Sequence, residues 1–354
     1  MLKITETSEF IIAKNHDNVF KNKIAVFDLD NTIIKTKSGK KFPQSEFDWT
    51  FTFPNVKKKL KKLEKKGYFI IIVTNQNGIE NGKQNKDEFL KKINDIVIEL
   101  NIKICVFCAT KINKYRKPSP VFYYEFIYNI NIDVLNSFYC GDACNRKNDF
   151  SDTDYKFALN CYLPFQTPEY FFINKKDIIN DPIYPNVSSY KNVLPIDKIL
   201  NFKPLKNDMI LMVGFPASGK STIAKYISDT YDYSIINQDT LKTKAKCIKM
   251  AKEYMKENKN FIIDATNPIR DEWINMAHPL YNISIIYLTT SYDVSMHNNY
   301  YRTFTSSAKL IPKIVYNVYK SKFIHPQNDK LVNRLICVDY FHNNTKLLYY
   351  QYLY

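Results

Sequence analysis

The chain has 354 residues, of which 45% are apolar, so it is not disordered throughout and is longer than a single hydrophobic core usually organises. Lys and Arg outnumber Asp and Glu by 51 to 35, and the resulting net charge of +16 favours polyanionic partners, although solubility alone would explain it as well. Because no apolar run approaches roughly 18 residues and the first residues lack a signal-peptide pattern, we expect a soluble intracellular protein with no membrane contact.

Short β-rich runs alternate with helical patterns in the first half, which is typical of a parallel sheet. The predicted strands are residues 24–27, 69–73, 102–107 and 137–140. Between the first two, residues 56–66 place apolar side chains at helical spacing and lysines on the other faces. This predicts a solvated amphipathic helix, and a nuclear-targeting or nucleic-acid patch is the alternative interpretation.

The seven cysteines are scattered and odd in number, which indicates free thiols in a reducing compartment. Cys105 and Cys108 lie in one apolar stretch, and if it is a strand their spacing of three sends their side chains to opposite faces. The sequence therefore does not favour a zinc site.

A proline-containing stretch without periodicity separates two α/β halves. We predict a first domain at 1–175, a linker at 176–206 and a second domain at 207–354. Strands of the second domain are expected at 209–213, 233–236, 261–263 and 283–288, with a closing strand within 340–354.

Two carboxylates follow the first strand of the first half. Asp28 and Asp30 lie where this strand opens into a loop, so both can face one pocket. One carboxylate could attack phosphorus to form an aspartyl-phosphate, while the second protonates the leaving alkoxide and then activates water. Since two such charges need a cation, we expect Mg²⁺ held by Asp28, Asp30 and a third ligand, Asp142.

Polar residues at other predicted strand ends complete this constellation. Thr74 could bind a phosphoryl oxygen, and Lys117 could supply positive charge to the transition state. Asp149, Asp152 and Asp154 are ambiguous, because a loop carboxylate supports a metal shell or caps a helix, and none is named a direct ligand.

The motifs D-L-D-N-T, T-N-Q, R-K-P and G-D-A, beginning at residues 28, 74, 116 and 141, resemble the haloacid dehalogenase superfamily. F-D-W at 47, D-F-S-D-T-D at 149 and K-F-A-L-N at 156 resemble the phosphatase part of polynucleotide kinase 3′-phosphatases. The resemblance implies a Rossmann-like 3′-phosphatase domain. Animal members of this family carry an N-terminal forkhead-associated domain, which we expect to be lacking here.

The second half opens on G-x-x-x-x-G-K-S between a predicted strand and a helix, a strong signal for a phosphate-binding loop. Its amides and the following helix N-terminus suit phosphate, Lys220 could reach the β and γ groups, and Ser221 could hold Mg²⁺. The predicted ATP-binding residues are Gly214, Ala217, Ser218, Gly219, Lys220, Ser221 and Thr222.

Asp239 follows the next predicted strand and could accept a hydroxyl proton, with a helix cap as the alternative. N-Q-D-T-L at 237, D-A-T-N-P at 264 and H-N-N-Y-Y-R at 297 resemble the 5′-kinase half of the same family, a P-loop fold with a parallel sheet. The resemblance implies that Asp239 is the general base and that Arg302 stabilises the transferring phosphoryl group. Where the family often has arginine this chain has Gln238, for which Arg270 or Lys242 could compensate. His297 is expected to be a packing residue.

The two halves together predict a monomeric end-healing enzyme that uses Mg²⁺ in both domains and ATP as phosphate donor. It would remove 3′-phosphates and phosphorylate 5′-hydroxyls at DNA strand breaks, in the nucleus by resemblance or in the cytoplasm. RNA or tRNA end healing and an inactive nucleic-acid-binding scaffold are the alternative hypotheses.

Overall fold

The computed structural model describes the chain except residues 1, 17–20, 128–130, 183, 184, 186, 192–194, 307, 328 and 329. The chain divides into two compact units, Met1–Tyr184 with Gln351–Tyr354, and Pro185–Tyr350. The stretch predicted as a linker, 176–206, is therefore shared between the units, and the last four residues join the first unit. None of the described helices is both long enough and apolar enough to span a bilayer.

The first unit is built on a seven-stranded sheet of described residues in the order β1-β2-β7-β6-β3-β8-β9. The strands are β1 Lys3–Glu6, β2 Phe10–Lys14, β3 Ile24–Phe27, β6 Phe69–Asn75, β7 Ile104–Ala109, β8 Phe138–Cys140 and β9 Phe165–Gln166, with a separate hairpin of β4 Ile34–Lys35 and β5 Thr50–Phe51. The strands from β7 to β9 pair in parallel, whereas β1 and β2 are antiparallel additions at one edge. The carboxyl ends of β3, β6 and β8 therefore lie at one edge of the sheet.

Helices cover both faces of this sheet: α1 Val56–Lys65, α2 Lys86–Leu100, α3 Val121–Phe126, α4 Thr153–Asn160 and α5 Pro168–Ile173. Helices are needed on both faces because alternate side chains of the buried strand β3 point into two different cores. Ala25 and Phe27 join the core formed with α1 and α2, whereas Ile24 and Val26 join the core formed with α3 and α4.

The second unit has a five-stranded, fully parallel sheet within its described residues, in the order β11-β12-β10-β13-β14. Its strands are β10 Asp208–Val213, β11 Ser234–Asn237, β12 Phe261–Asp264, β13 Asn282–Leu288 and β14 Arg334–Val338. Its helices are α6 Ile196–Leu200, α7 Lys220–Tyr231, α8 Gln238–Leu241, α9 Lys244–Lys256, α10 Asp271–Met276, α11 Tyr292–Ser306 and α12 Lys313–Lys322. The prediction of two α/β units with parallel sheets is confirmed.

The prediction of a closing strand within 340–354 is wrong. The last strand is Arg334–Val338, which pairs in parallel with β13, and Leu347–Tyr350 forms a 3₁₀ turn. The side chains of this later segment pack against α11, where the Tyr340 and Tyr349 hydroxyls both donate to the Asn298 side chain.

All seven cysteines are free, as expected. Cys105 and Cys108 are buried in β7 and contribute to different cores, so their side chains do lie on opposite faces of the sheet.

Candidate active sites

A cluster of three carboxylates lies at the carboxyl edge of the first sheet. Asp28 follows β3 directly, and its backbone amide donates to Cys140 O at the end of β8 over 2.9 Å. Asp28, Asp142 and Asp154 each offer a carboxylate oxygen, and these atoms all lie within 4.8 Å of one another. Such close packing of oxygen ligands suits a small divalent cation such as Mg²⁺.

Lys117 is buried among these carboxylates. Its Nζ lies 2.6 Å from Asp28 Oδ1, 2.7 Å from Asp154 Oδ1 and 2.8 Å from the Tyr139 hydroxyl. The Asn75 side chain fixes the lysine backbone, because its amide donates to Lys117 O and its carbonyl accepts from Lys117 N. The ammonium group of Lys117 is therefore held against the Asp28 carboxylate by packing and by hydrogen bonds to the lysine backbone.

The pKa values of the cluster reflect both burial and crowding. Burial raises the pKa of Asp28 well above its usual range against the opposing charge of Lys117, and the neighbouring carboxylates raise it further. Burial and Asp154 raise the pKa of Asp142 to about 7. Burial would lower the pKa of Lys117, but Asp154 and Asp28 outweigh it and raise that pKa. The cluster holds more negative charge than one lysine neutralises, which favours a bound cation.

Asp30 and Thr74 lie beside the cluster and share one hydrogen-bonding partner. Gln76 Nε2 donates to Asp30 Oδ2 over 2.7 Å and to Thr74 Oγ1 over 2.8 Å. The other Asp30 oxygen lies 4.0 Å from Nζ of Lys92, a buried residue of α2. Asp30 was expected among the metal ligands, but the close group contains Asp154 in its place because Asp30 is directed toward Gln76 and Lys92.

Of the three ambiguous acids, only Asp154 enters the site. Asp149 pairs with Arg146, and Asp152 pairs with Lys156 at 2.9 Å. Asp154, in the first turn of α4, accepts from Lys117, from the Tyr139 hydroxyl and from Ala143 N.

Sequence reasoning left Asp154 ambiguous between supporting a metal shell and capping a helix, and it gave Tyr139 and Gln76 no role. A signal for the first of these is Gly141, since a Cβ atom there would lie 2.5 Å from the Asp154 carboxylate. The residue after β8 must therefore be glycine for α4 to bring its aspartate this close.

The second site is the phosphate-binding loop between β10 and α7. Lys220 Nζ donates to Gly214 O over 3.0 Å and to Phe215 O over 2.5 Å, and lies 3.4 Å from Ser218 Oγ. Gly214 has a φ of +151°, and a Cβ atom there would lie 2.8 Å from Ser218 Oγ. The glycine thus allows the loop to fold around the lysine.

Asp264, at the end of β12, joins this loop to the neighbouring strand, and sequence reasoning gave it no role. Its Oδ2 accepts from Ser221 Oγ over 2.8 Å and from Asn237 Nδ2 over 2.9 Å. Asn237 Oδ1 in turn accepts from the amides of Asp239 and Thr240 and so caps α8. Asp239 is exposed at the start of that short helix. The sequence signal that could have identified Asp264 is its position as the first residue of D-A-T-N-P, at the end of a buried strand.

Burial lowers the pKa of Lys220 to about 8. Asp264 and Asp239 oppose that shift, whereas Arg302 adds to it, so the three charged groups lie within electrostatic reach of Lys220. Lys220, Ser221 and Arg302 line one cleft, whereas Asp239 lies outside its lining and is connected to the loop through Asn237 and Asp264.

A cleft of about 660 Å³ adjoins the loop. It is lined by residues 217–222, by Tyr301 and Arg302 of α11 and by residues 338–344. Asn298 Nδ2 donates to Ala217 O over 3.1 Å and so connects α11 to the loop. The predicted ATP-binding residues from Ala217 to Thr222 therefore face one cavity of nucleotide size.

Arg270 does not compensate for Gln238. Its guanidinium is buried and donates to the backbone carbonyls of Asn267, Pro268 and Ile324, so that prediction is wrong for Arg270. Lys242 is exposed and stays a candidate.

His297 is fully buried and lies 2.7 Å from Tyr349 O through Nε2, as expected of a packing residue.

The two units define a class of protein in which a carboxylate-lysine phosphoryl-hydrolysis site and a P-loop nucleotide site belong to one chain. Residues 23–172 match the model of the polynucleotide kinase 3 phosphatase family, and residues 209–326 match that of an AAA domain. The chain is 38% identical to the bifunctional polynucleotide phosphatase/kinase of Schizosaccharomyces pombe, over 90% of this chain and 80% of that protein. The chain belongs to the bifunctional polynucleotide phosphatase/kinase family.

Two further relatives agree with this assignment. A putative bifunctional polynucleotide phosphatase/kinase of Acanthamoeba polyphaga mimivirus is 32% identical over 94% of this chain and 88% of its own length. A polynucleotide 3′-phosphatase of Saccharomyces cerevisiae is 29% identical over 47% of this chain and 93% of its own length.

Proposed function

We propose that this enzyme removes 3′-phosphates from polynucleotide ends and transfers the γ-phosphate of ATP to 5′-hydroxyl ends. The observation that carries the proposal is the pair of sites in one chain, Lys117 between two carboxylates and Lys220 within a phosphate-binding loop. Family membership supports a polynucleotide as the substrate of both.

In the phosphatase reaction, Asp28 attacks phosphorus, and the bond to the 3′-oxygen breaks as an aspartyl-phosphate forms. Asp30 protonates the leaving 3′-oxygen and then takes a proton from the water that hydrolyses the intermediate. Gln76 orients both Asp30 and Thr74, so the acid and a phosphate-binding hydroxyl are fixed relative to each other. Lys117 and Thr74 bind phosphoryl oxygens as negative charge moves onto them.

Asp28, Asp142 and Asp154 fit a magnesium ion, because three carboxylate oxygens lie close together and two of the pKa values are raised by crowding and burial. The ion would neutralise phosphate charge and lower the repulsion between nucleophile and substrate.

In the kinase reaction, Asp239 accepts the proton of the 5′-hydroxyl, the oxygen attacks the γ-phosphorus, and the bond from that phosphorus to the β,γ-bridging oxygen breaks so that ADP leaves. Lys220 and Arg302 stabilise the charge on the transferring group. Ser221 and Asp264 would hold a magnesium ion bound to the nucleotide, which fits a hydroxyl and a carboxylate already 2.8 Å apart.

The proposed substrates are the ends of broken DNA strands, and the product ends are those that ligases join. The net charge of +16 supports a polyanionic substrate but does not distinguish DNA from RNA, so RNA end healing is the second candidate. Action as a monomer in the nucleus is part of the same proposal. The intact set of charged side chains in both sites argues against an inactive scaffold.

The test uses nicked DNA labelled at both ends of the nick, with Asp28→Asn and Lys220→Ala proteins. We expect the first variant to lose only 3′-phosphate removal and the second only 5′-phosphorylation. Retention of both activities by both variants would refute the site assignments. Competition with RNA ends and with free nucleotides then ranks the substrates.

A further inference from the structure

Helix α1 carries an exposed row of lysines that neither proposed reaction uses. Its buried face is formed by Val56 and Leu60, and its outer face presents Lys58, Lys62, Lys65 and, at the C-cap, Lys66. These four residues follow the i, i+4, i+7, i+8 spacing of one helix face. We call them the lysine stripe.

The charges in the first turn of α1 disfavour the isolated helix, whereas Lys62 and Lys65 in its last turn suit the helix dipole. Three consecutive lysines, residues 57–59, occupy its first turn, where the helix dipole favours acidic side chains and where α1 has none. Asn55 at the N-cap makes no side-chain capping hydrogen bond. Lys58 with Lys62 and Lys62 with Lys66 are like charges at the i,i+4 spacing, which destabilises a helix.

The stripe differs from Lys57 and Lys59 of the same helix in its contacts. Lys57 pairs with Glu99 at 2.6 Å, and Lys59 donates to Phe171 O over 2.6 Å. Within the described part of the chain, none of the four stripe lysines has a carboxylate within 4.0 Å. Their charge is therefore available to a partner, and a local sequence that opposes its own structure is typical of a functional surface.

We propose that the lysine stripe binds the phosphodiester backbone of the strand whose 3′ end occupies the phosphatase site, an inference that rests on the proposed function. From Lys58 to Lys66 the helix rises about 12 Å, the length of about three phosphates along one strand of a duplex. A polyanion would also relieve the repulsion between the lysines, so binding and helix stability would be linked.

The topology connects the stripe to the site. Strands β3 and β6 are parallel, and α1 leads from one to the other. The helix therefore begins near the sheet edge that carries Asp28 and ends toward the opposite edge. A strand contacting the stripe must extend several nucleotides from its 3′ end, so the contact is specific to long substrates.

The experiment compares a quadruple variant, Lys58→Gln with Lys62→Gln, Lys65→Gln and Lys66→Gln, with wild-type protein. The matched control neutralises four exposed lysines elsewhere: Lys175, Lys176, Lys203 and Lys206. Phosphate release is measured from a 3′-phosphorylated strand of about 20 nucleotides and from a 3′-phosphorylated dinucleotide, at several salt concentrations.

For the quadruple variant we expect the KM of the long strand to rise about tenfold at moderate salt and the slope of log KM against log salt to fall by about two. We expect kcat and the dinucleotide KM to stay unchanged. The midpoint of thermal unfolding should change little, because relief of the like-charge pairs is offset by loss of the favourable positive charges in the last turn. The control should retain wild-type values.

An unchanged KM and salt slope in the quadruple variant would overturn the inference, and so would an equal loss in the control variant. A variant that binds normally but no longer enters nuclei would also overturn it, in favour of a targeting signal. If wild-type protein hydrolyses neither substrate, the proposed function fails instead. Binding of the unphosphorylated long strand then tests the stripe on its own, with the same outcomes for affinity and salt slope.

Discussion

Substitution of Asp154 by asparagine should nearly abolish 3′-phosphate removal while leaving the kinase intact. The carboxylate accepts three hydrogen bonds, two at Oδ1 from Lys117 and Tyr139 and one at Oδ2 from Ala143 N. An amide has only one acceptor oxygen. Either the lysine and the hydroxyl or the backbone amide must then face an NH₂ group, so the substitution leaves a donor opposite a donor.

The expected size of the effect follows from burial. The side chains of Lys117 and Asp154 are 2% and 3% exposed, and removing one partner of such a buried pair costs about 3–5 kcal/mol of folding free energy. If about 3–4 kcal/mol of that interaction is lost in the transition state, kcat falls by roughly two to three orders of magnitude. Tyr139→Phe is the matched comparison, because it removes a neutral hydroxyl from the same pair and should cost only about fivefold.

The assay is single-turnover release of phosphate from a 3′-phosphorylated oligonucleotide, with 5′-phosphorylation by the same preparation as the test of folding. Asp154→Asn activity within about threefold of wild type, in protein with full kinase activity, would refute the reasoning. A Tyr139→Phe defect as large as that of Asp154→Asn would show that the hydroxyl, not the charge, holds the lysine.

Three further predictions concern the second unit. Asp264→Asn should lower the kinase kcat about a hundredfold and spare phosphatase activity, because it weakens the acceptor of Ser221, and unaltered kinase rates would contradict this. Gln238→Arg should lower the KM for 5′-hydroxyl ends about tenfold by adding a phosphate clamp, and an unchanged KM would argue against a clamp at this position. Burial lowers the pKa of His297 to about 4, below its usual 6.5, so protonation of this histidine favours the unfolded state. As the pH falls from 6.5 to about 4, the free energy of unfolding should therefore decrease by roughly 3 kcal/mol. His297→Gln should flatten this acid dependence of unfolding, read from Trp273 fluorescence in a Trp49→Phe background, and an equally steep dependence would exclude His297 as the cause.

The P-loop was predictable because its chemistry is local. Gly214 and Lys220 are six residues apart, and the conformation that the glycine permits is what lets the lysine contact the loop carbonyls. Asp28 and Asp142 were predictable for a topological reason, since both follow parallel strands of one sheet and the carboxyl ends of such strands meet at the same edge.

Asp154 was not predictable on the same grounds. Three aspartates lie within residues 149–154, and nothing in their spacing distinguishes them. The orientation of α4 determines which aspartate enters the site. It directs Asp154 past Gly141 into the site and leaves Asp152 to pair with Lys156. Arg270 shows the opposite kind of error, a role that the sequence suggested and the structure does not support. It was expected to contact substrate, but its guanidinium donates hydrogen bonds to backbone carbonyls.

The two sites have complementary electrostatic imbalances. In the first, carboxylates outnumber the lysine between them, and burial together with crowding raises the pKa of Asp142 to about 7. In the second, burial and Arg302 hold the pKa of Lys220 near 8 against the opposing carboxylates. Asp142 and Lys220 are each shifted toward the neutral form, which favours a cation beside Asp142 and an anion beside Lys220. Because that imbalance depends on distances between side chains from different strand ends, the sequence identifies the charged residues, whereas the fold determines how far their pKa values depart from the ordinary ones.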